Sequence, residues 1–138
     1  MKLNDDHFCF ACGSKNPDGL QINFTYPQAG QCRAEFLPPA KFQGWQGILH
    51  GGIVSTLLDE ALAHAAGGSQ GGGGASGAVT AELTVRFKKP VKIGEPVILA
   101  GRVISDKGRM VEAGSEITDR QGNILANAVG KLVRPVKK

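Results

Sequence analysis

The stretch LHGGIVSTLLDEALAHA, residues 49–65, carries polar groups that could do chemistry within an otherwise apolar helical pattern. Two adjacent carboxylates, Asp59 and Glu60, lie inside it, and His50 is followed by two glycines at its start. A partly buried carboxylate can act as a general base, because burial raises its pKa. A helix N-terminus presents unpaired N–H groups that can bind an anionic oxygen. The spacing alone does not choose between the two carboxylates, or between catalysis and an ion pair with a Lys or Arg at a subunit contact.

The element that must position these groups is a helix predicted over residues 52–66. Its apolar residues keep helical spacing and extend well beyond one stripe: Ile53, Val54, Leu57, Leu58, Ala61, Leu62 and Ala65. A helix that is apolar over most of its surface is buried, so we expect it to lie in the concave face of a sheet. The glycine-rich tract that follows, residues 67–77, is predicted to be a flexible loop.

The rest of the chain is predicted to form strands separated by turns. Alternation of apolar and polar residues predicts two short strands and four long ones, over 20–25, 32–36, 78–89, 96–106, 109–119 and 123–134. The Arg-Gln-Gly sequence at 120–122 indicates a hairpin between the last two. Strands do not alternate with helices, so the sequence predicts an α+β fold with a mainly antiparallel sheet. At 138 residues, positions 1–138 are expected to form one domain.

Composition narrows the classes of partner. No apolar run reaches the roughly 18 residues that span a membrane, and the N-terminus lacks an apolar signal region; we expect a cytoplasmic protein with no membrane partner. A net charge of +4 and a pI near 9.1 favour anionic ligands. The basic residues are dispersed and aromatic residues make up only 6% of the chain, so a small anionic ligand is expected rather than nucleic acid.

The three cysteines do not predict a disulfide framework, because their number is odd. Cys9 and Cys12 form a C-x-x-C pair, but a structural zinc site needs four ligands and no second C-x-x-C exists. His7 and Cys32 would complete such a site only by an accident of folding. The pair is therefore predicted to be reduced and partly buried, and we expect neither a metal nor a cofactor.

Three segments together carry a resemblance to a known family: FQGWQGILHGGIVSTLLDEALAHA, TAELTVRFKKPVKIGEPVILAGRV and the opening CFACGSKNPDGLQINF. They resemble the hotdog-fold thioesterases, and especially the small acyl-CoA thioesterases of the phenylacetate-pathway (PaaI) type. The resemblance implies a curved antiparallel sheet wrapped around one long central helix. It also implies hydrolysis of an acyl-CoA thioester without a Ser-His-Asp triad. The one Gly-x-Ser-x-Gly match in the sequence, at residues 67–71, lies in the glycine-rich tract and not between a predicted strand and a helix, so it does not indicate a nucleophilic serine.

The same resemblance implies roles for individual residues. Asp59 would be the general base or nucleophile, and the Gly51 N–H would bind the oxyanion. His50 would hold the local geometry or contact the thioester, and Thr80 would orient the attacking water, although Thr80 can equally be an ordinary strand residue. Some relatives carry Asn where this chain has Gly44. The residues expected to bind substrate are Gly52, Lys88 and Lys89.

A geometric argument adds the expectation of an oligomer. Gly51 and Asp59 are eight residues apart, or roughly 12 Å along a helix, which is too far for both to act on one thioester carbon. We therefore expect a homodimer or homotetramer with composite sites. Two alternatives to the acyl-CoA thioesterase stay open: a hotdog hydratase or dehydratase, and a non-catalytic acyl-CoA-binding module.

Overall fold

The computed structural model describes residues 3–68 and 77–135, which form one antiparallel sheet and one long helix. This architecture confirms the predicted α+β hotdog fold. A one-turn 3-10 helix at Ala40–Phe42 precedes the long helix. The elements are β1 (Gln31–Phe36), α1 (Gly51–Gly68), β2 (Val79–Phe87), β3 (Val97–Asp106), β4 (Met110–Thr118) and β5 (Ile124–Val133).

The five strands are arranged in the order β1-β3-β4-β5-β2, and every neighbouring pair is antiparallel. The predicted hairpin joins β4 to β5, and Gly122 in its turn has a φ of 86°, which favours glycine. Among the strands of residues 3–68 and 77–135, β2 pairs with β5 alone, so it is an edge strand of this sheet.

Helix α1 lies across the sheet and contacts all five strands. Leu57, Leu58 and Leu62 are completely buried against it. The helix backbone approaches β3 most closely at Gly101, where a Cβ atom would overlap the carbonyl of Ala61. Glycine at this position is therefore what allows the helix to lie directly on the strand.

Two side chains of the sheet bind carbonyls of α1 and fix its position. Ser115 on β4 donates a hydrogen bond to the Leu58 carbonyl at 2.8 Å, and the Cys32 thiol on β1 donates to the Ala61 carbonyl at 3.0 Å. Burial raises the pKa of Cys32 to about 12, so this thiol remains protonated and can keep donating. The two contacts flank Asp59 and Glu60 along the helix.

The prediction of a strand over residues 20–25 is wrong. Leu20 and Ile22 are buried as the alternation suggested, but their amides donate to carbonyls of the preceding turn. Gln21 between them has a φ of 51°, which breaks an extended strand. Only an isolated bridge forms in this segment, at Thr25.

The other predicted elements are confirmed with small shifts at their ends. The helix predicted over 52–66 runs from Gly51 to Gly68, and the remaining predicted strands match β1 to β5 to within about two residues. The glycine-rich tract is helical at its start, while its residues 69–76 lie outside the described part of the chain. Among the described helices, none is long and apolar enough to cross a membrane.

Candidate active site

The start of α1 is capped by a histidine side chain. The Gly52 N–H donates a hydrogen bond to His50 Nδ1 at 2.8 Å, which satisfies one of the free donors of the first turn. A Cβ atom on Gly52 would lie 3.0 Å from the same nitrogen, so glycine leaves room for this cap. Because Nδ1 accepts, a neutral His50 carries its proton on Nε2.

The preceding donor, the Gly51 N–H, binds no acceptor among the described residues. A Cβ atom built on Gly51 would meet only the ring of Phe87, at an ordinary distance of 3.6 Å. The backbone at this point is thus open, and it stands at the positive end of the helix dipole. This N–H is available to a carbonyl oxygen or an oxyanion.

Gly51 and His50 open onto a cavity of about 830 Å³. Its size suits a small-molecule ligand, and its lining is mainly apolar. Trp45 is 85% exposed and Phe87 is 59% exposed on its rim. The other lining residues are Gly44, Ile48, Leu49, Val54, Lys88, Lys89, Pro90 and Val91.

Lys88 and Lys89 lie together at one edge of this cavity. Their backbone amides both donate to the Leu125 carbonyl at 2.9 Å, directly after β2 ends. Both residues are exposed, so their ammonium groups can reach a ligand in the cavity or the solvent around it. Lys89 also borders a second cavity of about 450 Å³, together with Lys92 and Arg120.

Asp59 and Thr80 meet away from this cavity, at the edge strand. The Thr80 hydroxyl donates a hydrogen bond of 2.7 Å to Asp59 Oδ1. Burial raises the pKa of Asp59, the Thr80 hydrogen bond opposes that change, and the charge of Glu60 adds to it. Neither Asp59 nor Thr80 lines the cavity at Gly51. The structure therefore groups the predicted site residues into two sets.

The adjacent carboxylate has different surroundings. Glu60 Oε2 lies 3.5 Å from His64 Nε2, one helical turn further on. Its carboxylate also lies beside the thiols of Cys9 and Cys12. Only Asp59 of the two is bound to the edge strand, where a hydroxyl is placed to orient it.

Comparison of the chain with known proteins shows its family. A family model described as the thioesterase superfamily matches residues 46–126. The chain belongs to this superfamily. This membership confirms the predicted thioester-hydrolase class. The matched range contains every predicted site residue.

Individual proteins show the same relationship. A Saccharolobus solfataricus protein named as an esterase is 35% identical over 114 residues, which cover 83% of this chain and 73% of that protein. Acyl-coenzyme A thioesterase THEM4 of Xenopus laevis is 32% identical over 94 residues, or 65% of this chain and 38% of that protein. The chain thus spans less than half the length of this second relative.

Solved structures agree on the fold. A thioesterase superfamily protein superimposes with a TM-score of 0.81 at 26% identity, covering 91% of this chain and 62% of that one. The Escherichia coli PaaI protein from the phenylacetic acid degradation operon gives a TM-score of 0.72 at 25% identity. That match covers 83% of this chain and 84% of the PaaI chain.

Sequence reasoning on this thioesterase superfamily member missed two cavity residues, Trp45 and Phe87. Both are large aromatic residues that the fold leaves exposed, and each is close in sequence to a predicted site residue. Exposed aromatic side chains are characteristic of binding surfaces. The sequence pattern placed Phe87 in a strand but did not show that this strand is at the edge.

Proposed function

We propose that the protein hydrolyses acyl-CoA thioesters to a free carboxylic acid and CoA. The observation that carries the proposal is the Gly51 N–H, which has no acceptor in the described part of the chain and opens onto a cavity at the positive end of α1. A backbone donor in this position suits the oxyanion of a tetrahedral intermediate. Two relatives named as acyl-coenzyme A thioesterases support the substrate class.

In the proposed reaction, Asp59 removes a proton from a water molecule as that water attacks the thioester carbonyl carbon. The carbonyl oxygen becomes an oxyanion and accepts a hydrogen bond from the Gly51 N–H. The intermediate then collapses, the carbon–sulfur bond breaks, and the CoA sulfur receives the proton held by Asp59. The Thr80 hydroxyl, 2.7 Å from Asp59 Oδ1, positions the carboxylate so that its second oxygen faces the water.

The cavity and its rim supply binding for the rest of the substrate. Its apolar walls suit the hydrocarbon parts of an acyl-CoA, since small-molecule sites bury most of their ligand against apolar side chains. Lys88 and Lys89 offer charge-assisted contacts to the CoA phosphates. His50, with its proton on Nε2, can donate to the thioester carbonyl while Nδ1 continues to cap the helix.

The two halves of the site belong to different subunits in this proposal. Gly51 and Asp59 are separated by eight residues of one helix, roughly 12 Å. β2 connects them at the surface, because Thr80 near its start contacts Asp59 and Phe87 at its end lies beside Gly51. Exposed edge strands pair readily with another strand. Antiparallel pairing of β2 with its copy, centred between Leu83 and Thr84, would bring Thr80 opposite the end of the other β2.

A substrate panel tests the activity. Purified protein is incubated with short, medium, long and aromatic acyl-CoAs, and the released thiol is measured with a chromogenic disulfide. We expect thiol release from at least one class, and a large loss of it in Asp59→Asn. Binding of acyl-CoA without thiol release from any class would favour the binding module, and hydration of an enoyl-CoA would favour the hydratase; either result would contradict the proposal.

A further inference from the structure

The C-x-x-C pair near the N-terminus contacts α1 on a different face from the Asp59–Thr80 contact. One ligand atom each from Cys9, Cys12 and Glu60 lies within 4.8 Å of the other two, and all three residues are half-buried. Two thiols and a carboxylate at this separation are close to the spacing of donors around one zinc ion, where sulfur binds at about 2.3 Å. The cluster joins a segment without regular secondary structure to the central helix.

The loop that carries the cysteines already has a compact turn. The Cys12 N–H points at Cys9 Sγ with a distance of 3.5 Å, and the Gly13 N–H donates to the Cys9 carbonyl at 2.8 Å. A Cβ atom on Gly13 would overlap the backbone of Cys9 and His7, so glycine is needed for the turn. An N–H directed at sulfur stabilises a thiolate, which is the form that binds metal.

A fourth donor, His64 Nε2, lies beside Glu60 and outside the group of three atoms that are all within 4.8 Å of one another. His64 is only 6% exposed, and its ring stacks on Phe24 with centroids 4.1 Å apart. Its Nδ1 is 2.8 Å from the Tyr26 hydroxyl, whereas Nε2 is buried without a hydrogen bond to any residue the structure describes and lies 3.5 Å from Glu60 Oε2. A buried polar atom without a partner is unusual in a folded protein. Metal-binding histidines characteristically have their other ring nitrogen held by a hydrogen bond, as Tyr26 holds this one.

The charge of the cluster also fits a cation. The half-buried Glu60 carboxylate lies between two thiols. Zinc binding would convert both thiols to thiolates and release their protons to solvent, and the divalent ion would offset the negative charge that results.

We propose that Cys9, Cys12, Glu60 and His64 form a four-coordinate zinc site that ties the N-terminal segment to α1. Two thiolates, one carboxylate and one imidazole are ligands that zinc accepts in a tetrahedral site. Four protein ligands leave no open position, so the role is structural. This proposal replaces the expectation of a reduced pair without metal, and it is independent of the acyl-CoA reaction.

The test measures metal directly. Wild-type protein is loaded with zinc, freed of excess by gel filtration and analysed by mass spectrometry for metal content, where we expect about one zinc per chain. Competition with a chromogenic chelator then gives the affinity. Cys12→Ser, Glu60→Gln and His64→Ala should each weaken binding by at least about tenfold. Two matched controls, Cys32→Ser and Glu95→Gln, should bind as tightly as the wild type.

Cobalt binding to the wild type provides a readout that needs no variant to fold. Thiolate ligation gives a near-ultraviolet charge-transfer band, which should saturate at one equivalent of cobalt and disappear when zinc is added. Absence of this band, or a zinc content near zero after loading, would overturn the proposal. Equal weakening by Cys12→Ser and Cys32→Ser in folded variants, judged by circular dichroism, would overturn it as well.

Discussion

At the scale of single residues, the environment separates two carboxylates that the sequence presents as equivalent. Neighbouring positions on a helix point about 100° apart, so Asp59 and Glu60 face different parts of the fold. Asp59 accepts a hydrogen bond from Thr80 on the edge strand. Glu60 lies beside His64 and the two cysteines. The first environment suits a base and the second suits a ligand or an ion pair.

This difference predicts unequal effects of two isosteric changes. Asp59→Asn keeps the shape of the side chain and removes the proposed base, so we expect kcat to fall by about 10²–10⁴-fold. Glu60→Gln should reduce kcat far less, because Glu60 lies beside His64 and the cysteines and not beside Thr80. Both kcat values are measured with the best acyl-CoA of the panel on variants with wild-type circular dichroism. A larger loss in Glu60→Gln would show that the wrong carboxylate has been chosen.

How much of the site the sequence could predict depended on how far apart the contacting residues are along the chain. The cap formed by His50 and Gly52 is local, so a short motif was enough to indicate a special helix start. The contact of Thr80 with Asp59 bridges 21 positions, and only the family resemblance brought these residues together. The cluster around Cys12 depends on how a turn-rich segment packs on α1, which periodicity does not describe.

At the scale of elements, α1 is held by close packing on β3 and by the sheet's hydrogen bonds to its carbonyls. The long strands and the helix were predictable, because their apolar periodicity matches burial in the structure. The segment at 20–25 was not, because the same alternation of buried and exposed residues arises in an irregular chain that has Gln21 in a left-handed conformation. Alternation of apolar and polar residues predicts which side chains are buried. It does not predict which carbonyls accept hydrogen bonds from the backbone amides.

The packing of α1 on β3 gives a second prediction. In Gly101→Ala the new Cβ would overlap the backbone of Ala61, which cannot move without shifting the helix. We expect a loss of at least about 2 kcal/mol in the free energy of unfolding, with a reduced kcat because Asp59 shifts too. Gly114→Ala is the matched control, since the atoms nearest to its Cβ would be those at the flexible end of Arg102. Urea denaturation compares the two, and equal stability of both variants would contradict the role of Gly101.

The hairpin between β4 and β5 gives a prediction about pH. The side-chain amide and the N–H of Asn123, with the N–H of Gln121, bind the Asp119 carboxylate and lower its pKa. A lowered pKa in the folded state means that the carboxylate stabilises the fold above its unfolded pKa of about 3.9, and that this contribution disappears as the pH falls through the folded value. Asp119→Ala should therefore lower the Tm by a few degrees at pH 7.

The difference in Tm between wild type and Asp119→Ala should shrink below about pH 4. Asp18→Ala serves as the control, because the Asp18 carboxylate accepts no hydrogen bond within the described residues. Thermal unfolding followed by circular dichroism across the pH range makes the comparison. A difference for Asp119→Ala that stays constant down to pH 2 would mean that the ionised carboxylate is not what stabilises the turn.

At the scale of the whole molecule, a single chain holds the two halves of the proposed site apart. The oxyanion donor opens onto the cavity at one end of α1, while the base lies outside that cavity beside the edge strand. β2 leaves Val79 and Phe87 exposed at its two ends, by 44% and 59%. A second copy paired along β2 would cover this edge and bring each base to the other chain's donor, giving two equivalent sites.

Mixing two inactive variants tests this arrangement. Gly51→Val keeps the N–H but blocks the approach of a ligand oxygen, and Asp59→Asn removes the base. If the halves come from different subunits, each mixed dimer contains one site with both lesions and one intact site. Random pairing makes half of the dimers mixed, so activity should recover to about a quarter of the wild-type value. The assay is thiol release from an acyl-CoA after subunit exchange, with each variant alone as the baseline.

Exchange is verified separately with affinity-tagged chains, and both variants must show wild-type circular dichroism. Activity that stays at the baseline after verified exchange would place donor and base in the same subunit and rule out the composite site.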